Sequence, residues 1–306
     1  MRRAIALRAS SAIAFTALVA VLVLCLSSVA LAELTPQPVR DMKAMEWKPA
    51  ASVDYLAWTR GFFPMTGHQG VWAMAYGQEP FRVNPKGVNG EVGGIDGTTL
   101  VYTEDNGADS DVFFFDLETK VQTEAPGRIN TAKWEYEPSI SGDWVLFGRL
   151  NGATGARKVL LYNTATDELR TLAETSGWRH WVDAGQVNGN YAVWVKGSGS
   201  TSNVFLYDIA ADATTQIPNP GDEAQYAASV TPAGTVFYGR SGFACGRNVM
   251  LTAYPIGGPA ETLVSFGSGW DFRTSYALDN GDGTTDVFYD PGPCSGKSDI
   301  YKVTYP

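Results

Sequence analysis

The sequence predicts an all-β fold, a six-bladed β-propeller of four-stranded antiparallel blades. Three observations point to it. A strand-type pattern ending in an aromatic recurs six times at a period of about 45 residues. A second aromatic-ended pattern precedes each copy, and turn residues separate the strands. Helical periodicity is absent beyond the first thirty-two residues.

The first pattern ends at Tyr76, Phe115, Tyr162, Tyr207, Tyr254 and Tyr305, at intervals of 39, 47, 45, 47 and 51 residues. Spacing of this order, with β-branched and aromatic composition, is that of propeller blades. The second pattern, YLAW, TLVY, WVLF, YAVW, TVFY and DVFY, ends 13 to 18 residues earlier in each repeat. Most of its copies follow a turn signal such as Asp96-Gly97, Gly142-Asp143, Gly189-Asn190 or Asp282-Gly283. Gly, Asn and Asp tolerate the positive φ that tight hairpins require, so one strand lies on each side of these turns. Further turns, NTATDE at 163–168 and DIAADA at 208–213, lead into weaker fourth strands, LRTL and TTQI. The last repeat stops at Tyr305-Pro306, after its third strand. Residues 34–42 have no other assignment and are expected to supply the missing outer strand, closing the ring and covering a sheet edge.

The N-terminus predicts export. Arg2, Arg3 and Arg8 precede an apolar stretch from Ala12 to Leu26, and Ala30-Leu31-Ala32 follows. That order is a secretory signal peptide with cleavage after Ala32, and the apolar run is short for a spanning helix. The domain assignment is therefore a signal peptide, 1–32, and one propeller, 33–306, secreted or in the cell envelope. Without Arg2, Arg3 and Arg8, the 23 basic residues of the chain fall to 20 against 32 acidic ones, a net charge of −12. An acidic chain with no lysine-arginine cluster argues against nucleic acid and anionic membranes. A monomer is expected. Cys245 and Cys294 form an even pair in an oxidising compartment. Both stand between the second and third strands of adjacent blades, where a disulfide is sterically reasonable.

The segments PSISGDWVLFGR (138–149) and KVLLYNTATDELRTL (158–172), with AGQVNGNYAVWVK and NVFLYDIAADATTQI, resemble the blades of TolB-type, WD-repeat-like propellers. The resemblance implies the fold and little else. It brings no catalytic domain of the kind that propeller-gated hydrolases append, and no counterpart of the N-terminal domain that TolB carries. Asn280, Asp282 and Asp286 in LDNGDGTTD resemble the calcium loop of FG-GAP propeller repeats, although Leu278 stands at the first ligand position. A plain hairpin is the preferred reading, and no cofactor is expected.

The expected functional surface is one mouth of the channel, where the loops before each inner strand gather. There Trp134, Trp178, Trp181, Tyr226 and Trp270 would stand with Arg128, Arg179, His180, Asp271 and Arg273. Aromatic platforms flanked by charged hydrogen-bonders suit a protein or glycan ligand. The preferred function is non-catalytic binding or scaffolding. The alternative is a carbohydrate-active enzyme, a glycoside hydrolase or polysaccharide lyase, using Glu135, Glu137 and His180 with Arg179. Glu135 and Glu137 fall on one strand face and would serve as paired carboxylates.

Overall fold

The computed structural model describes residues 33–40, 44–61, 68–241, 249–294 and 296–306, and every regular element among them is a β-strand. The expected signal segment and Cys245 lie outside the described residues. After β1 (Gln37–Arg40) the strands follow in fours. The first set is β2 (Met45–Ala51), β3 (Tyr55–Gly61), β4 (Gly70–Ala75) and β5 (Phe81–Arg82). The second is β6 (Asn89–Asp96), β7 (Thr99–Asp105), β8 (Ser110–Asp116) and β9 (Val121–Glu124). The third is β10 (Trp134–Ser141), β11 (Trp144–Asn151), β12 (Ala156–Asn163) and β13 (Glu168–Thr175). Then come β14 (His180–Asn188), β15 (Tyr191–Ser198), β16 (Thr201–Asp208) and β17 (Ala213–Gln216). They are followed by β18 (Ala224–Val230), β19 (Val236–Ser241), β20 (Val249–Tyr254) and β21 (Glu261–Phe266). The last are β22 (Trp270–Asp279), β23 (Thr285–Pro293) and β24 (Ile300–Tyr305).

Each set is an antiparallel meander, and a single parallel pair, Trp134 with Ser110, joins the second to the third. β1 lies antiparallel on β24, so the last sheet runs β1-β24-β23-β22. The segment just before β1 is tied to the sheet of β18–β21 as well, by Leu34 N–H on the Leu263 carbonyl (2.7 Å). The inner strands β2, β6, β10, β14, β18 and β22 each touch the next, and β22 touches β2. The sheets therefore stand radially, as blades of a propeller.

The core lies between blades. Second strands such as YLAW, TLVY and WVLF are buried on both faces because each is covered by neighbours on both sides. Trp58, Tyr102, Phe147 and Tyr238 are wholly buried there, each worth about 2–3 kcal/mol of transfer free energy. Separate apolar clusters bridge neighbouring blades, so that no blade buries its faces alone. The outer β17, in contrast, is exposed along its length.

Every inner strand carries a break in register at the same depth, between Trp47 and Ala50, Val92 and Gly94, Tyr136 and Ser139, Ala184 and Val187, Tyr226 and Ser229, and Phe272 and Ser275. These β-bulges bend the strand and re-aim side chains. A second device recurs beside them. An inner-strand aromatic lies over a glycine of the next strand: Trp47 on Gly61, Tyr136 on Gly148, Trp181 on Gly197 and Tyr226 on Gly239. A Cβ at Gly148 would stand 2.3 Å from the Tyr136 ring, so only glycine admits the aromatic.

Candidate ligand-binding cup at one channel mouth

The bulges place unlike residues around the channel: Lys48 and Pro49, Gly93, Glu137 and Pro138, Gly185 and Gln186, Ala227 and Ala228, Arg273 and Thr274. Lys48, Glu137 and Ala227 hold φ of 50°, 50° and 53°. Non-glycine residues in this region carry strain of about 1–3 kcal/mol. Pro49 and Pro138 are tolerated because a bulge frees the following residue from the ladder. The bulge of β22 is held by the buried Asp290, whose carboxylate accepts from Arg273 N–H (2.9 Å) and Thr274 N–H (2.8 Å). Burial raises the Asp290 pKa to about 6, against the pull of these backbone donors.

At the bulge level a cup of about 140 Å³ opens, walled by Pro49, Val92, Pro138, Ala184 and Ala228 among others. Its charged groups are Lys48, Glu137, Asp183 and Arg273. Lys48 Nζ lies 2.6 Å from Glu91 Oε2 and 3.7 Å from Glu137 Oε1. Arg157 Nη1 lies 3.1 Å from Asp183 Oδ1. Glu137 Oε2 is buried without a hydrogen-bond partner. Burial, and then the Asp183 carboxylate, push the Glu137 pKa up to about 8, although Lys48 and Arg157 oppose the rise. Asp183 is raised by burial in the same way. Burial disfavours the Lys48 ammonium, yet Glu91 and Glu137 outweigh it and hold Lys48 above the ordinary lysine range.

Two side chains floor the cup by crossing the channel. Tyr276 Oη donates to the Ile95 carbonyl (2.7 Å) and accepts from Ile95 N–H (3.2 Å), joining β22 to β6 past β2. Gln186 Nε2 donates to the Ala277 carbonyl (2.8 Å), and its Oε1 accepts from Ala277 N–H (3.0 Å) and Val230 N–H (3.2 Å). Gln186 and Tyr276 also line a second hollow of about 260 Å³ on the far side. The channel is thus divided into two cups.

Beside the first cup lies a groove of about 370 Å³ walled by Trp181, Tyr226 and Phe272, with Asp271 and Arg273 at its edge. Trp181, Tyr226 and Arg273 line both hollows, which makes them one continuous surface. Burial raises the pKa of Asp271.

The structure thus brings together four of the residues expected at the mouth, Trp181, Tyr226, Asp271 and Arg273. Trp178 and Trp270 are exposed at 66% and 42%, and Trp178 packs on Gly155 away from the groove lining. Arg179 and His180 are exposed and line neither hollow. Trp134 lies against Gly152. Arg128 is turned outward, Nη1 donating to the Asp167 carbonyl (3.1 Å). Glu135 and Glu137 are not a working pair. Glu135 is wholly buried on Arg149 (2.6 Å) and Thr131 (2.8 Å), while the bulge that follows Tyr136 swings Glu137 toward Lys48.

The acidic hairpin does not assemble as a calcium loop. Asn280 donates to Thr284 (2.9 Å), Asp282 accepts from Thr284, and Asp286 is held by Lys302 and Thr304 (2.6 Å each). No group of three or more His, Cys, Asp or Glu among the described residues is arranged to hold a metal. Cys294 is disulfide-bonded.

Lys48, Asp183, Gln186 and Tyr276 escaped sequence reasoning. Lys48 had a usable signal: Lys48-Pro49, like Glu137-Pro138, sets a charge before a proline inside a strand, which marks a bulge.

The sequence matches no family model and no curated protein. Solved structures do resemble the fold. A putative TolB from Agrobacterium tumefaciens aligns with a TM-score of 0.58 at 10% identity, over 88% of this chain and 93% of that one. TolB from Acinetobacter baumannii aligns at 0.54 and 14% identity over 82% of this chain, which spans 63% of the TolB chain. An oligogalacturonate lyase from Vibrio parahaemolyticus aligns at 0.52 and 9% identity, over 89% and 93%. At such identities the likeness is one of architecture, and the chain is a β-propeller.

Proposed function

We infer that the chain is an exported binding protein, a closed six-bladed ring that seats a segment of a protein or glycan ligand on the mouth formed by β14, β18 and β22. The observation that carries this reading is the aromatic groove of Trp181, Tyr226 and Phe272, edged by Asp271 and Arg273 and opening into a blind cup. Aromatic walls with a few oriented polar groups suit ligand segments, and the blocked floor favours docking over passage. The contact of β22 with β2 and the β1–β24 pairing support the closed ring. Cys294 is assigned to a bridge with Cys245, and its partner would be identified by peptide mapping under non-reducing conditions. Fold likeness to TolB, a name attached to two of the similar structures, agrees with a binding role without specifying the ligand.

A second reading is favoured by one observation. Glu137, with a pKa of about 8, is tuned for proton transfer near neutral pH, and an oligogalacturonate lyase shares the fold. Glycan-array and peptide-library binding by wild type, Trp181→Ala and Arg273→Ala proteins, run beside turnover assays on polysaccharides, separates the two. Binding lost in both variants without turnover supports docking. Turnover abolished by Glu137→Gln establishes the enzyme reading instead.

A further inference from the structure

We propose that the cup at the bulge level receives a primary ammonium group, such as a lysine side chain of the docked ligand, against Glu137. This rests on the mouth being the binding surface and names the chemistry of its deepest point.

The charges around Glu137 are unevenly matched. Lys48 is committed to Glu91 at 2.6 Å, and Arg157 to Asp183 at 3.1 Å. Glu137 shares Lys48 only at 3.7 Å, and its second oxygen has no partner. Three carboxylates, Glu91, Glu137 and Asp183, thus face two committed cations. The remaining cation on the cup is Arg273, which is exposed and therefore screened by solvent. A buried carboxylate oxygen without a donor carries a desolvation cost that a ligand donor would relieve. Glu137 lines the cup, and its side chain keeps 28% exposure. The walls, Pro49, Val92, Pro138, Ala184 and Ala228, are apolar and suit a methylene stem. The volume of about 140 Å³ accommodates one extended side chain.

Binding of a cation also has a proton signature. Glu137 faces Lys48, Glu91, Asp183 and Arg157, and burial with the neighbouring carboxylates pushes its pKa up to about 8. An ammonium stabilises the ionised form, so binding below that pH releases a proton, and affinity rises as pH approaches about 8.

The test is a backbone-amide NMR titration of the purified protein with Nα-acetyl-lysine methylamide, its norleucine counterpart and methyl glucoside. The expected result is saturable shifts at Gly93, Gly185 and Ala227 with the lysine probe alone. Glu137→Gln should weaken it about tenfold, the scale of a lost hydrogen bond to a charged group. Calorimetry in buffers of different ionisation enthalpy should report proton release. An equal response to norleucine, no saturable shift with lysine, or no effect of Glu137→Gln overturns the assignment. A groove ligand sensitive to Trp181→Ala but indifferent to Glu137→Gln overturns it too, while leaving the mouth as the binding surface.

Discussion

Replacing Tyr276 by phenylalanine removes one oxygen from the middle of the channel and changes no shape. That oxygen donates to the Ile95 carbonyl at 2.7 Å and accepts from Ile95 N–H at 3.2 Å, linking blades that are not neighbours in sequence. Tyr276 is 6% exposed and Ile95 4%, so water does not reach these groups freely. Each group left unsatisfied costs about 1–3 kcal/mol. The accepted bond is long, which places the total at about 2–4 kcal/mol, and water admitted from either cup would bring it to the lower end. The assay is urea unfolding followed by tryptophan fluorescence. The expected outcome is a lower midpoint with an unaltered slope, since the surface exposed on unfolding is the same. A midpoint equal to wild type would show that the cross-channel bond contributes nothing, and the argument that Tyr276 and Gln186 tie the ring across its axis would fail.

Three further outcomes are expected. Gly148→Ala forces a Cβ to 2.3 Å from the Tyr136 ring and should destabilise by about 1–3 kcal/mol, whereas Gly152→Ala, with its nearest neighbour at 3.6 Å, should change the midpoint little; equal effects would refute the aromatic-on-glycine device. Glu137 titrates higher in the folded protein than the ordinary 4.5, so the folded state holds its proton longer and stability falls as pH rises from about 4.5 through about 8; Glu137→Gln should remove that part of the decline, and parallel midpoint-versus-pH curves for the two proteins would contradict it. Deleting residues 33–40 strips β1 from β24 and leaves an open sheet edge; light scattering should then show concentration-dependent self-association, and a monomer of unchanged stability would rule out the latch.

The framework was legible because it repeats. A buried second strand such as TLVY or WVLF is forced by being covered on both faces, and its apolar run is written directly in the sequence. The strand that pairs with β24 was legible because the residues before β2 fit no repeat. The site was legible only in part. Trp181, Tyr226, Asp271 and Arg273 were found because loops and strand starts at one mouth are consecutive in each repeat. Lys48, Asp183, Gln186 and Tyr276 were not, because their meeting depends on side chains reaching across the axis from strands far apart in sequence. Glu135 and Glu137 show the limit from the other side. Period-2 alternation puts them on one face, and the bulge at residues 137 and 138 undoes it.

The break in register recurs in all six inner strands, yet the residues it displays are lysine, glycine, glutamate, glycine, alanine and arginine. If the bulges served only to curve the strands, glycine would suffice at each, and at φ near 50° it would be less strained than Lys48 or Glu137. The chain instead holds two long charged side chains in that conformation and buries much of each, with side-chain exposures of 17% and 28%. Three of the seven non-glycine residues with positive φ among the described residues, Lys48, Glu137 and Ala227, stand at this level, where the repeat is chemically broken, while the aromatic-on-glycine contacts beside it recur in four blades. Strain held in this way marks a position whose side chain does something the scaffold does not need. It is the unlikeness of the six equivalent residues, more than any one of them, that supports the proposal of a site in the cup.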